Sequence, residues 1–173
     1  MSSALLIVDV QQGMFAYDPP PHRGEEIVRR IAGLLARARA EGVAVVHVQH
    51  DGGPDNLLAK GSPGWPHHEL VAPRAGEMVV EKRHSSAFHD TDLHRRLCDA
   101  GIDRLVVAGM QTEMCVDSAC RAAAALGYRV VLLGDAHTTF DTPELPAERI
   151  IAHHNRLLGR GFAELSDTGQ IRF

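Results

Sequence analysis

The sequence has few cysteines and few aromatic residues, and it has no long apolar run. Its three cysteines, Cys98, Cys115 and Cys120, form an odd set without a CxxC pair. Such a set argues against a disulfide framework or a cysteine-rich zinc site and favours a reducing, cytoplasmic location. The longest apolar stretches fall well short of the roughly 20 residues of a transmembrane helix. The first apolar run is also too short, and lacks the basic residues before it, for a signal peptide. We therefore expect a cytoplasmic protein with no membrane partner.

The chain also lacks any run rich in lysine and arginine, and its formal net charge is −4. Both features argue against nucleic acid as a partner, because binding to phosphates requires clustered positive charge. A length of 173 residues with 45% hydrophobic residues suits one domain over residues 1–173 with a sizeable core. The partner that remains is a small-molecule substrate.

Predicted strands and helices alternate along the chain. Short apolar runs predict strands at residues 4–8, 43–49, 77–82, 105–108, 128–135 and 161–165. Apolar stripes predict helices at residues 25–41, around residues 93–97, from about residue 114, and at residues 146–158. This alternation predicts an α/β fold, a single-domain three-layer α/β/α sandwich with a Rossmann-like six-stranded parallel sheet and helices on both faces. Residues 50–74 show no periodicity, which is typical of a functional lid and equally of a packed surface loop.

Three chemically reactive residues follow predicted strands. Asp9, Lys82 and Cys115 each lie at or just past the carboxyl end of a strand. Taken singly, Asp9 can be a solvated loop carboxylate and Cys115 a small buried thiol. In a parallel sheet, however, the carboxyl ends of the strands share one edge, so the three side chains are expected to meet in one crevice. Their joint placement predicts a catalytic site.

The residue types predict a role for each member of the site. A Cys115 thiolate attacks carbonyl carbon and forms a thioester that water can open. Asp9 is the candidate general base, and Lys82 supplies a positive charge that lowers the thiol pKa and holds Asp9 ionised. The position of Cys115 at the start of a predicted helix also favours the thiolate. Backbone N–H groups of Gln111 and Cys115 can form an oxyanion hole, so the chemistry requires no metal and no organic cofactor.

The same residues lie within three recognisable motifs. These read Leu-Leu-Ile-Val-Asp-Val-Gln-Gln-Gly-Met-Phe (5–15), Val-Glu-Lys (80–82) and Val-Ala-Gly-Met-Gln-Thr-Glu-Met-Cys-Val (107–116). With them the chain resembles the isochorismatase-like cysteine hydrolase superfamily, which includes nicotinamidases and N-carbamoylsarcosine amidases. The resemblance implies a triad of Asp9, Lys82 and Cys115, a non-proline cis peptide at Met110–Gln111, and a homodimer or homotetramer.

Two departures from the family patterns narrow the expected reaction. Isochorismatases proper lack the cysteine at position 115, and the Asp-x-His metal motif of nicotinamidases is replaced here by His50-Asp-Gly. Residues 135–141 and 150–155 resemble the branch that includes streptothricin hydrolase. We therefore expect metal-independent hydrolysis of a small amide or related C–N bond. A metal-assisted nicotinamidase and a non-catalytic small-molecule binding protein remain as alternatives, and so does an unforeseen zinc site built from His47, His50, His67 and His68.

Five further residues are candidates for contact with the substrate. Phe15, Trp65 and Phe88 lie near the three site segments and can form a pocket wall, although aromatic residues serve equally in a core or a subunit interface. Thr112 and His137 complete the candidate set, and His137 can instead be a loop imidazole bonded to backbone.

Overall fold

Six parallel strands form one sheet in the computed structural model, which describes residues 2–173. Their order across the sheet is β3-β2-β1-β4-β5-β6. The strands are β1 (Ser3–Val8), β2 (Ala44–His50), β3 (Met78–Lys82), β4 (Arg104–Met110), β5 (Arg129–Thr138) and β6 (Glu164–Ser166). The predicted Rossmann-like parallel sheet is confirmed.

Four α-helices cover the sheet on both faces, as predicted. They are α1 (Gly24–Ala40), α2 (Leu93–Asp99), α3 (Asp117–Ala125) and α4 (Ala147–Leu158). Leu5 and Ile7 of β1 pack in the same core as α1, whereas Leu6 and Val8 pack with α2 and α3 on the opposite face. Because both faces are buried, the strand is apolar throughout instead of alternating with polar residues. No helix within residues 2–173 is both long enough and apolar enough to cross a membrane.

The strand order reverses direction between β1 and β4. From β1 the chain continues to β2 and β3 on one side, and from β4 it continues to β5 and β6 on the other. In open α/β sheets, the carboxyl ends of the two strands at such a switch point leave a crevice between the diverging connections. Asp9 follows β1, and Cys115 lies shortly after β4.

The backbone around Cys115 differs from the sequence prediction. The residue lies in a single π-helical turn, Thr112–Val116, and α3 begins only at Asp117, whereas the sequence had predicted a helix from about Met114. Gly109, just before this turn, has a φ of +131°, and a Cβ there would lie 2.1 Å from the carbonyl oxygen of Val8. Only glycine therefore lets β4 approach β1 so closely at the point where the site begins.

Strand β5 is longer than predicted and includes His137. Pairing between β4 and β5 breaks after Val107 and resumes with Gly109 opposite His137 and Met110 opposite Thr138. The resumed pairing extends β5 to Thr138. The predicted strand ended at residue 135, so the prediction was short by three residues, because cross-strand partners supply hydrogen bonds that the local sequence does not reveal.

The aperiodic segment after β2 packs against the residues that follow β1. Backbone hydrogen bonds join Gln12 to Pro66 and Gly13 to Gly64, both at 2.9 Å, and Gln11 pairs with His67 in an isolated bridge. A short 3-10 turn, Glu69–Val71, ends the segment. This packing brings residues near position 56 towards the carboxyl ends of β1 and β2.

Candidate active site

Asp9, Lys82 and Cys115 meet at the carboxyl edge of the sheet, as their positions in the sequence predicted. The Nζ atom of Lys82 lies 2.7 Å from Oδ2 of Asp9 and 3.2 Å from Sγ of Cys115. The Lys82 side chain is fully buried and that of Asp9 is 3% exposed. Burying an ammonium is expensive unless an opposite charge compensates it, and the Asp9 carboxylate is placed to do so here.

The backbone fixes the positions of Asp9 and Lys82. Asp9 has a left-handed φ of +51°, a conformation that aspartate tolerates better than most residues, and its N–H donates to Val48 O at 3.1 Å. Lys82 is the last residue of β3, and its Nζ also donates to His84 O at 3.1 Å. Each side chain therefore extends from a rigid strand end and not from a mobile loop.

The protonation state of Cys115 differs from the expectation. Burial, and after it the negative charge of Asp9, outweigh the opposing effect of the Lys82 ammonium, and together these influences raise the pKa of the Cys115 thiol to about 12. The sequence had predicted a lowered thiol pKa. In the resting site the sulfur is therefore a thiol, so its proton must be removed by a base as the sulfur attacks.

Asp9 and Cys115 open onto a crevice of about 170 Å³. Met14, Leu58 and Met110 form a buried apolar cluster on one side of it. The full lining consists of Asp9, Met14, Tyr17, His50, Asn56, Leu58, Ser85, Met110, Gln111, Met114 and Cys115. Among these described residues only Asp9 is formally charged when His50 is neutral. The crevice therefore suits a small ligand with little or no charge.

His50 is held neutral in a defined tautomer. Its Nδ1 lies 3.3 Å from Lys82 Nζ, and an ammonium repels an N–H, so the Nδ1 lone pair faces the ammonium and the ring proton is on Nε2. Burial and the charge of Lys82 lower the pKa of His50. The Gln11 amide fixes the backbone, since its Oε1 accepts from His50 N at 2.8 Å and its Nε2 donates to His50 O at 3.1 Å. His50 thus offers one ring N–H as a donor beside Asp9.

The turn after β4 carries the predicted cis peptide. The Met110–Gln111 bond is cis, and both Gln111 and Cys115 line the crevice. The carbonyl oxygen of Gln111 accepts from the backbone N–H groups of Met114 at 3.2 Å and Val116 at 3.1 Å, which closes the turn around the thiol. The two residues predicted to form the oxyanion hole are therefore adjacent to the sulfur.

Thr112 and His137 lie behind this turn and do not line the crevice. Asn155 Nδ2 donates to Gly134 O at 3.2 Å, which leaves Asn155 Oδ1 to accept from His137 Nε2–H at 2.8 Å. His137 Nδ1 then accepts from the Thr112 hydroxyl at 2.8 Å. The pair ties the π-helical turn to α4. The structure thus places Thr112 and His137 outside the crevice lining, in hydrogen bonds that connect the turn to α4.

The three candidate aromatic residues also lie outside the crevice lining. Phe15 packs edge-on against His68, with ring centroids 4.7 Å apart, and Phe88 packs in the core with Tyr128, at 6.0 Å. The Trp65 ring lies beneath the Lys60 ammonium. Asn56 and Leu58 of the aperiodic 50–74 segment form part of the wall. Most of the rest is made by residues at or shortly after strand ends, and this was the available signal in the sequence. These residues are Met14 and Tyr17 after β1, His50 at the end of β2, Ser85 after β3, and Met110 and Met114 at the end of β4 and beyond it.

The four histidines considered for a zinc site have separate partners. His47 Nε2 bonds to Glu77, and His68 Nδ1 accepts from the N–H of Leu70. The rings of His47 and His67 are 5.4 Å apart, and His50 faces Lys82. These four side chains do not converge on one point.

Two buried histidines should make folding stability depend on pH. Burial, the largest cause for each, lowers the pKa of His67 and of His137 to about 4. Unfolded imidazoles titrate near pH 6.5, so below that pH the unfolded chain binds protons that the folded chain does not accept until about pH 4. The free energy of unfolding is therefore expected to fall by about 2 kcal/mol per histidine between about pH 7.5 and about pH 5. Denaturant titrations at the two pH values measure this loss.

A matched pair of variants tests this origin of acid sensitivity. His67→Leu should remove about 2 kcal/mol of the loss, the share expected from this one histidine. His153→Gln, at an exposed histidine on α4, should leave the loss unchanged. Equal stability of the wild-type protein at both pH values would contradict the prediction.

Comparison with known proteins gives a consistent picture. The isochorismatase domain family matches residues 3–157. A streptothricin hydrolase from Streptomyces noursei is 44% identical over 143 residues, covering 83% of this chain and 52% of that protein. A maleamate amidohydrolase from Pseudomonas putida is 32% identical over 156 residues, covering 78% of this chain and 73% of its own length. The chain thus spans only about half the length of the streptothricin hydrolase.

The fold has close counterparts among solved structures. The crystal structure of a putative isochorismatase hydrolase from Oleispira antarctica superposes with a TM-score of 0.92 at 35% identity, covering 98% of this chain and 95% of that one. The likeness therefore extends over the whole sheet and all four helices and is not confined to the motifs.

Proposed function

The chain belongs to the isochorismatase family, and from that premise we propose that it is a hydrolase that cleaves a small amide or related C–N bond through a Cys115 thioester. The observation that carries this proposal is the contact of Asp9, Lys82 and Cys115 at the switch point of the sheet. The activities that the relatives are named for, streptothricin hydrolase and maleamate amidohydrolase, support hydrolysis of this kind.

The geometry supports the following first half-reaction. As Sγ of Cys115 attacks the amide carbon, Asp9 takes the thiol proton, because the raised thiol pKa leaves no preformed thiolate. The N–H groups of Gln111 and Cys115 stabilise the oxyanion. The tetrahedral intermediate then breaks its C–N bond, the leaving amine receives the proton from Asp9, and a thioester to Cys115 remains.

The second half-reaction reverses these roles with water. Asp9 removes a proton from a water molecule, the resulting hydroxide attacks the thioester carbon, and the C–S bond breaks. The acid product leaves, and Sγ regains a proton from Asp9. Lys82 lies within reach of both groups and compensates the charge on whichever of Asp9 or Cys115 is anionic. No step requires a metal.

The residues that line the crevice favour an uncharged substrate. Apolar contact is offered by Met14, Leu58 and Met110, and the ring N–H of His50 can donate to an acceptor on the substrate. A substrate carboxylate would lie close to Asp9, and a substrate ammonium would compete with Lys82 for it. Burial of an unpaired charge costs several kcal/mol, so charged amides are disfavoured.

A panel of small amides tests this function. Uncharged primary amides are expected to release ammonia and to leave an acyl adduct on Cys115, seen by intact mass after rapid quenching. Analogues carrying a carboxylate or an ammonium group should react with kcat/KM lower by about tenfold or more, because the crevice does not compensate the added charge. His50→Leu should raise KM about fivefold, the value of one ordinary hydrogen bond.

Other results would identify the alternatives. Turnover that needs added metal would favour a metal-assisted nicotinamidase. Binding of amides without turnover or adduct would favour a non-catalytic binding protein.

A further inference from the structure

A second cluster of reactive side chains lies on the loop after β3. The rings of His84 and His89 are stacked, with centroids 3.9 Å apart and planes inclined by 15°. Asp90 Oδ2 lies 3.3 Å from His84 Nε2 and 3.6 Å from His89 Nε2. Two imidazoles thus face one carboxylate oxygen, outside the crevice that the proposed hydrolysis uses.

These separations are close to those of a metal-ligand set. In a tetrahedral zinc site with bonds of about 2.0–2.1 Å, neighbouring ligand atoms are about 3.3–3.4 Å apart. The two His–Asp separations are near this value, and donor atoms of all three residues lie within 4.8 Å of one another. This is also the only such trio of histidine, cysteine or acidic residues among residues 2–173.

We propose that His84, His89 and Asp90 bind a divalent transition-metal ion of the zinc type through two imidazole nitrogens and one carboxylate oxygen. Imidazole favours Zn²⁺, Co²⁺, Ni²⁺ and Cu²⁺, whereas Mg²⁺ and Ca²⁺ prefer sites made wholly of oxygen. All three side chains are exposed, so the rings are free to tilt out of their stack and direct their lone pairs towards one ion. Three protein ligands leave a fourth position to water.

The loop connects this site to the crevice. The carbonyl oxygen of His84 accepts from Lys82 Nζ, and the next residue, Ser85, lines the crevice. The three side chains themselves are exposed and outside the crevice lining, so a metal ion held by them would not replace Lys82 or Asp9. The site is independent of the proposed thioester chemistry and can be tested without a substrate.

Titration with Co²⁺ tests the proposal. The wild-type protein is expected to bind one Co²⁺ ion with a visible d–d band typical of nitrogen and oxygen ligands, to release it to Zn²⁺, and to retain it against Mg²⁺. Loss of a residue that only hydrogen-bonds to a metal ligand typically lowers metal affinity about 10–100-fold. Loss of a ligand itself, in His84→Ala or His89→Ala, should weaken Co²⁺ binding at least as much. Asp90→Asn, which keeps the side-chain shape, should also weaken it.

Two controls keep the result specific. His153→Ala removes an exposed histidine that is next to His154 on α4, and it should leave the Co²⁺ affinity unchanged. Cys98→Ser removes the exposed thiol that lies 3.8 Å from His94 and should do the same. Two results would overturn the proposal. One is unchanged Co²⁺ affinity in a His84→Ala variant whose circular dichroism shows that it is folded. The other is a thiolate-to-cobalt charge-transfer band that disappears in Cys98→Ser. An absence of Co²⁺ binding by the wild-type protein would do the same, since Asp90 would then simply pair with the two rings.

Discussion

Cys115→Ala is expected to reduce kcat for any amide substrate by about 10⁴-fold or more, because the nucleophile of a covalent mechanism has no substitute. The residual rate would then come only from substrate binding and from stabilisation of the oxyanion by the N–H groups of the turn. Ammonia release under single-turnover and steady-state conditions measures the loss. Intact mass should at the same time show no acyl adduct on the variant.

The other two cysteines provide matched controls for this substitution. Cys98 is exposed, and Cys98→Ala should retain full activity. Cys120 is completely buried in the core, so Cys120→Ala should lower stability while the folded protein keeps its kcat. Survival of more than a trace of activity in Cys115→Ala, on a substrate that the wild-type protein acylates, would refute the thioester mechanism.

Asp9→Asn is expected to slow turnover and to speed the alkylation of Cys115. The proton acceptor is lost, so kcat should fall about 10²–10⁴-fold. The negative charge of Asp9 raises the thiol pKa, however, so its removal should lower that pKa and leave the Lys82 ammonium as the nearest charged neighbour. Alkylation of Cys115 by iodoacetamide near neutral pH should therefore become faster while turnover becomes slower. The pH dependence of the alkylation rate, followed by peptide mass, measures the shift.

A second variant separates this effect from a general change in charge. Glu81→Gln removes one negative charge from the residue next to Lys82, but Glu81 is exposed and pairs with Lys60. Its turnover and alkylation rate should match those of the wild-type protein. Because Asp9→Asn leaves a buried lysine without its partner, the variant should also be less stable by about 3–5 kcal/mol, and rates are compared below its unfolding transition. Slower alkylation in the folded variant would argue against Asp9 as the group that raises the thiol pKa.

The sequence was sufficient to predict the framework of the site. Continuous apolar runs such as residues 4–8 require burial on both faces, and their alternation with amphipathic helices implies a parallel sheet. Once the sheet is parallel, residues that follow its strands share one edge, so Asp9, Lys82 and Cys115 could be placed together although long stretches of chain separate them. The motifs around these residues also predicted the family and the cis bond at Met110–Gln111.

Only the tertiary structure decided the electrostatics and the walls of the site. Burial and the charge of Asp9 together outweigh the effect of Lys82 on the pKa of the Cys115 thiol. This balance depends on distances of a few ångströms between three segments of the chain. His50 lines the crevice and His137 lies behind it, although both are histidines near strand ends. Side-chain contacts of this kind depend on how the 50–74 segment and the resumed β4–β5 pairing pack. The sequence determines which segments form strands and, apart from the extension of β5 to Thr138, roughly where they end, because both follow from local apolar patterning. Protonation and pocket shape follow from distances between remote segments, and only the folded chain sets those distances.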